Sequence, residues 1–255
     1  MSTVSDGGAG GARRDEVAGH RGAEPERTIS TVSDGGAGGA RRDDVGRHRG
    51  AGPTMSSEGR IYTKLGDDGS TGLLFGGRRS KADPLLDAVG SIDESVATLG
   101  LARASSTSAE LSGAILDVQR ELFVAAADLV ANPHARDRLV PGISLVTADM
   151  IARVEALIDD LVTASPLRPV FVVPGANLAS ASLDMARTQV RRAERRMVAW
   201  RAQASATTTA SATTAATVNP LVGTYLNRVS DLLYVLARHA AADTEEPASH
   251  GATAG

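Results

Sequence analysis

From Asp83 onward, apolar side chains return every three or four positions in five separate runs. A residue on an α-helix advances about 100°, so this spacing gathers them on one stripe. Asp83-Pro84 offers an N-cap followed by proline in the first turn, ahead of Leu85, Val89, Ile92, Val96 and Leu99. Thr107 with Glu110 has the form of a capping box before Leu111, Ile115, Val118, Leu122, Ala125 and Leu129. The third run starts at Thr147 and continues through Ile151, Val154, Ile158 and Leu161. The fourth opens after Pro174-Gly175 and reaches about Arg201; the fifth starts near Pro220 and carries Val222, Leu226, Val229, Leu233 and Leu236. Aromatic residues are only 3% of the chain, which favours helices packed through small aliphatics over a sandwich or barrel. The expected fold is all-α: an antiparallel five-helix bundle behind an N-terminal glycine-rich loop.

The remaining segments are of other kinds. Ser2 to Ala23 reappears as Ser30 to Ala51, with changes only at Glu16/Asp44, Ala18/Gly46 and Gly19/Arg47. Residues 1–57 hold 13 of the 27 glycines and no Leu, Phe, Tyr or Trp, so they are expected to form a disordered tail. Met55 is an alternative start. Residues 204–217, almost wholly Ala, Thr and Ser, read as a mobile loop, and residues 243–255 as a second disordered tail. That leaves 58–242 as the helical domain.

Several functions are disfavoured. A formal charge of -3 argues against nucleic acid as the partner. The absence of cysteine removes thiolate metal sites and cysteine nucleophiles, and five scattered histidines lack ligand spacing. No apolar run approaches the roughly 18 to 20 residues of a membrane span, and no signal peptide opens the chain, so a cytoplasmic protein is expected.

Charge on the fourth run is the strongest hint of chemistry. Arg187 and Glu194 fall inside the Leu183–Val190–Met197 stripe, whereas Arg192, Arg195 and Arg196 project to the other side. Unpaired charge on a buried side costs several kcal/mol per ion, so either an internal salt bridge or an anion site is implied, with Arg191 on the flank. The loop Thr63-Lys64-Leu65-Gly66-Asp67-Asp68-Gly69-Ser70-Thr71-Gly72, with Lys81 beyond it, has the glycines, hydroxyls and charge of a phosphate cradle. It lacks the Walker spacing. Asp93 lies beside Ile92 and would partner an inward Arg187. Asn227 and Asp231, one turn apart, could bind magnesium or face solvent. Phe171, in the link Pro169-Val-Phe-Val-Val-Pro174, either seals a core or meets a ligand.

Five segments in order resemble the PduO-type ATP:cob(I)alamin (corrinoid) adenosyltransferases. They are Arg60-Ile-Tyr-Thr-Lys-Leu-Gly-Asp-Asp-Gly-Ser-Thr-Gly, Ala88-Val-Gly-Ser-Ile-Asp-Glu, Val172-Val-Pro-Gly, Ala186-Arg-Thr-Gln-Val-Arg-Arg-Ala-Glu-Arg-Arg and Tyr225-Leu-Asn-Arg-Val-Ser-Asp-Leu-Leu-Tyr. The resemblance implies a homotrimer of five-helix bundles with active sites between subunits. It implies that Thr63, Lys64, Gly66, Thr71, Lys81, Arg191, Arg192, Glu194, Arg195 and Asn227 hold ATP, with Asn227 near Mg2+. Asp93 and Arg187 would form an inter-subunit ion pair, and Phe171 would face the corrin of cobalamin. Leu65, Ala176 and the long 204–217 loop depart from the family pattern, and little follows His239 to cap a corrin.

On this resemblance the expected reaction moves the 5′-deoxyadenosyl group of ATP to cob(I)alamin, giving adenosylcobalamin and triphosphate. Cob(I)alamin is itself a strong nucleophile, so the protein's work is positioning and neutralising the departing triphosphate with Lys64, Lys81, Arg191 and Mg2+. Phe171 would occupy the space of the lower axial ligand. A cobalamin reductase and methylmalonyl-CoA mutase are the implied partners, the product passing to a B12-dependent mutase. The alternative is a non-catalytic corrinoid carrier or ATP-sensing adaptor; the Asp-x-His-x-x-Gly pattern that a mutase-like carrier would need is missing.

Overall fold

Helix starts in this protein are set by side chains that accept from otherwise unpaired first-turn amides. The structure, a computed structural model, describes residues 61–206, 218–242 and 244–249. The tail expected over 1–57 and residues 207–217 of the expected loop lie outside them. Helix α1 (Pro84–Ser105) starts at Asp83, whose carboxylate accepts from Leu85 N at 2.8 Å. Helix α2 (Ala109–Leu129) is capped by Ser108, which accepts from Leu111 N, and not by the expected Thr107–Glu110 box. Thr147 caps α3 (Ala148–Ala164), and Asn177 and Ser180 form a reciprocal capping box on α4 (Leu178–Ser205). Helix α5 (Leu221–Ala241) follows Pro220.

Cross-helix pairs give the directions. Arg196 meets Asp87 and Arg192 meets Glu94, so α4 runs against α1. Arg238 meets Asp184 and Asn227 meets Glu194, so α5 runs against α4. Gln119 donates to Val96 O at 2.9 Å across the α1–α2 turn. Between the helices lie Leu85, Ile92, Leu99, Ile115, Leu122, Leu183, Val190, Met197, Tyr225, Leu226 and Leu233, all buried.

The expected all-α reading needs one correction: the molecule is mainly helical but carries a small sheet. Strands β1 (Ser70–Gly72) and β2 (Arg78–Ser80) pair antiparallel with Thr71 opposite Arg79. Their turn places Gly76 and Gly77 at φ 93° and 84°, a region that L side chains rarely adopt. The hairpin docks where α2 ends: Leu74 N donates to Val130 O at 3.0 Å, Asn132 N donates to Leu74 O at 2.9 Å, and the Arg138 guanidinium stacks 4.4 Å from the Phe75 ring. Arg138 belongs to a 3-10 segment (Pro133–Arg138) that follows α2. At this same end the fully buried Asp128 carboxylate pairs with Arg136 and accepts from Val146 N at 2.9 Å and Asn219 Nδ2 at 2.8 Å. It joins the entries of α3 and α5 to the exit of α2.

The opposite end holds a second correction. Ala242 takes a left-handed conformation (φ 47°, ψ 53°) after α5. Residues 244–249, assigned by composition to a disordered tail, then lie against the link before α4. Val172 bridges Pro247, Val173 N donates to Glu246 O at 2.8 Å, and Ala248 N donates to Phe171 O at 2.8 Å. Backbone pairing of this kind leaves no trace in apolar periodicity.

Candidate functional site

The hairpin end gathers the loop residues. Lys64 takes φ 59°, with its ammonium 6.0 Å from the Tyr62 ring centre. Lys81 Nζ reaches back over the loop and donates to Gly66 O at 2.7 Å. A Cβ on Gly66 would stand 3.1 Å from that ammonium and 3.2 Å from Ser70 O, so glycine is what permits the approach. Thr63 Oγ1 accepts from Leu65 N at 3.4 Å, and Thr71 sits on β1. Nothing in the spacing singles out Arg78, yet it braces this loop: Nε donates to Ser70 Oγ at 2.8 Å and Nη2 donates to Leu65 O. The Ser70 hydroxyl and amide hold the Asp68 carboxyl below its usual range, and Arg78 adds to the effect.

The α4 arginines divide into two sets. Arg192 and Arg196, on the side away from the stripe, pair with α1 while their side chains stay 39% and 37% exposed. Arg192 meets Glu94; Arg196 Nε lies 2.8 Å from Asp87 Oδ2, and its Nη1 donates to Ser91 Oγ at 2.6 Å. The reason is that α4 lies between α1 and α5, so its covered side is broader than one stripe. Arg191 and Arg195 remain exposed, and neither has a partner among the described residues. Glu194 accepts from Asn227 Nδ2 at 3.4 Å, while Asn227 Oδ1 accepts from Arg228 at 3.0 Å. Arg228 also donates to Glu155 at 2.6 Å.

Asp93 and Arg187 do not meet within the chain. Asp93 is exposed on α1 without a partner among the described residues, and partial burial pushes its carboxyl up. Arg187 is half-buried, with Nε 3.3 Å from Asp184 Oδ1.

Phe171 does not seal the core; it is 87% exposed. It shares a concave surface with Arg168, Tyr234 and Pro247 at the end where α5 finishes and α4 begins. Beneath lies an ionic cluster that periodicity could not assemble, because its members come from three segments: α4, α5 and the residues after α5. Arg238, stacked 4.7 Å from the Tyr234 ring, pairs with Asp184 and lies 2.6 Å from Glu245 Oε1. The N–H is not aligned on that oxygen, so the contact is a charge pair and not a directed hydrogen bond. Burial pushes the Glu245 carboxyl up, with Arg238 pulling against it.

The described residues therefore hold a lysine-bearing hairpin at one end, two unpaired arginines along α4, and an exposed phenylalanine at the other end. No group of three or more His, Asp or Glu side chains gathers among them to bind a metal, and no described helix is long and apolar enough to cross a membrane.

A family model described as cobalamin adenosyltransferase matches residues 61–240. The chain is 37% identical over 180 residues to a corrinoid adenosyltransferase of Citrobacter freundii, covering 70% of this chain and 93% of that one. It is 37% identical over 185 residues to a corrinoid adenosyltransferase of Mycobacterium tuberculosis, covering 72% and 90%. Among solved structures it resembles a variant PduO-type ATP:corrinoid adenosyltransferase from Lactobacillus reuteri complexed with cobalamin and ATP. The TM-score is 0.62 at 26% identity, over 75% of this chain and 99% of that one.

Proposed function

The chain belongs to the cobalamin adenosyltransferase family, and from that premise we propose that it is an enzyme transferring the 5′-deoxyadenosyl group of ATP to cob(I)alamin. Cobalt(I) supplies the electron pair of the new cobalt–carbon bond. The C5′–O bond breaks, its pair leaves with triphosphate, and adenosylcobalamin is formed.

The carrying observation is the contrast on α4. Arg191 and Arg195 stand exposed without partners among the described residues, beside Arg192 and Arg196 that are already spent on α1. Two uncommitted guanidinium groups suit a triphosphate whose charge grows as it leaves. Lys64, Lys81 and the Gly66 loop, with Thr63 and Thr71, complete the nucleotide's surroundings in this reading. Glu194 and Asn227 offer a carboxylate and an amide oxygen, the hard donors that Mg2+ takes alongside water and phosphate. When bound, Mg2+ would neutralise phosphate charge. Phe171, exposed and apolar, would fill the space below cobalt and favour the four-coordinate state from which reduction proceeds.

We further assign a homotrimer of five-helix bundles. Within one chain the hairpin and Phe171 lie at opposite ends of the helices, so ATP and corrin converge only where two subunits meet. Asp93 on one subunit and Arg187 on the next would then pair. Exposed Leu101, Phe123, Leu178, Met185 and Val198 supply apolar surface for such contacts. Passage of the product to a B12-dependent mutase belongs to the same proposal.

The test is an anaerobic assay with ATP, Mg2+ and reduced cobalamin, following adenosylcobalamin by absorbance. Product at substrate turnover is expected. No product with a verified reductant, but tight corrinoid binding, would leave the carrier reading instead.

A further inference from the structure

We propose that Glu245 and Arg238 are positioning residues for Phe171: they lock Thr244–Ser249 down as a strap whose backbone holds the Phe171 link in place. This rests on the corrin-facing reading of Phe171.

A ring that is 87% exposed has no packing to orient it, so its direction comes from its backbone. That backbone belongs to a link between Pro169 and Pro174, outside any helix. Two bonds hold it, Val173 N to Glu246 O and Ala248 N to Phe171 O, both 2.8 Å, one on each side of the Val172–Pro247 bridge. The strap is polar and short; Thr244 Oγ1 donates to Ala241 O at 2.6 Å where it leaves α5, and beyond that point its side-chain anchor is Glu245, 8% exposed against Arg238. Arg168, the residue before the link, adds a bond to Glu245 O at 3.1 Å. A side-chain bond to the strap thereby supplements the backbone pairing at the centre.

The anchor does not stop at the strap. Arg238 also pairs with Asp184, and the other Asp184 oxygen lies 3.3 Å from Arg187 Nε. One chain of alternating charge therefore runs from half-buried Arg187 on α4, through Asp184 and Arg238, to Glu245 on the strap that pairs with the Phe171 link. Two carboxylates face two arginines along it, so each buried charge is compensated. Loss of Glu245 leaves Arg238 still paired with Asp184, which keeps the helices together while freeing the strap.

The experiment uses Glu245→Ala in the full chain. Hydrogen exchange at the Val173 and Ala248 amides should accelerate together by about tenfold or more, with amides inside α4 and α5 unchanged. Unchanged protection at both amides would overturn the strap. In the anaerobic assay, Glu245→Ala should lower kcat with cob(I)alamin about tenfold and leave the KM for ATP as it was. In a Phe171→Ala background the same change should add nothing, because the strap acts through that ring. Additive losses would overturn the positioning role even where exchange quickens. Should Phe171→Ala alone keep parental turnover, the corrin-facing reading fails, and the exchange result still decides the strap.

Discussion

Arg191 and Arg192 are adjacent in the chain and opposite in situation. Arg192 is committed to Glu94 on α1, whereas Arg191 is exposed and without a partner among the described residues. Arg191→Ala should therefore open no cavity and leave the thermal midpoint unchanged. A charge-assisted phosphate contact is worth roughly 1.5 to 3 kcal/mol, so ATP affinity by calorimetry should fall about tenfold to a hundredfold. Unchanged affinity would remove Arg191 from the site. The sequence already placed Arg191 on a flank and Leu183, Val190 and Met197 inside, because a 100° step assigns faces. It did not show that Arg192 and Arg196 pair with α1, because the step says nothing about which neighbouring helix lies beside α4. Arg78 was illegible for a related reason: its partners Leu65 and Ser70 are loop neighbours made close only by the hairpin.

Among the elements, the start of α2 separates two sequence signals that stand one residue apart. Thr107 and Glu110 fit a capping box on paper, yet Ser108 supplies the oxygen that Leu111 N needs. Ser108→Ala should cost about 1 kcal/mol, roughly 2 to 4 °C in thermal midpoint, while Thr107→Ala should be close to neutral. The reverse order in a calorimetric scan would restore the box. Helices α1 to α5 were legible because each buries a periodic stripe. The hairpin was not: Ser70–Gly72 and Arg78–Ser80 are three-residue strands without apolar alternation, and it is held by glycine turns and by docking on Val130. The strap escaped for the same cause, since composition registers burial and not backbone pairing.

At the scale of the molecule, the unmatched Asp93 and the half-occupied Arg187 bear on assembly. Each lacks the other within one chain, and the proposed trimer would supply the missing partner. Asp93→Ala should then shift light scattering toward monomer at micromolar concentrations where the parent stays associated, with helix content by circular dichroism intact. Retention of the parental mass would mean that Asp93 does not hold subunits together. In the same assay Arg187→Ala should behave like Asp93→Ala, and the double change should be no worse than either single one.

The separation of the hairpin from Phe171 has a genetic consequence. Arg238 meets Asp184 near the start of α4, while α1 begins, just beyond the hairpin, opposite the far half of α4, where Arg196 meets Asp87. Those levels are 12 residues apart on α4, about 18 Å of helix rise, before the hairpin's own reach is added. If a working centre draws its lysines from one chain and its phenylalanine from the next, two disabled alleles can rescue each other. Lys81→Ala and Phe171→Ala chains, each strongly impaired alone, should regain activity when co-expressed in equal amounts. Random assembly leaves about one centre in four with both parts whole, so about a quarter of parental turnover is expected in a symmetric ring. Were both parts drawn from a single chain, no mixture of the two could make an intact centre.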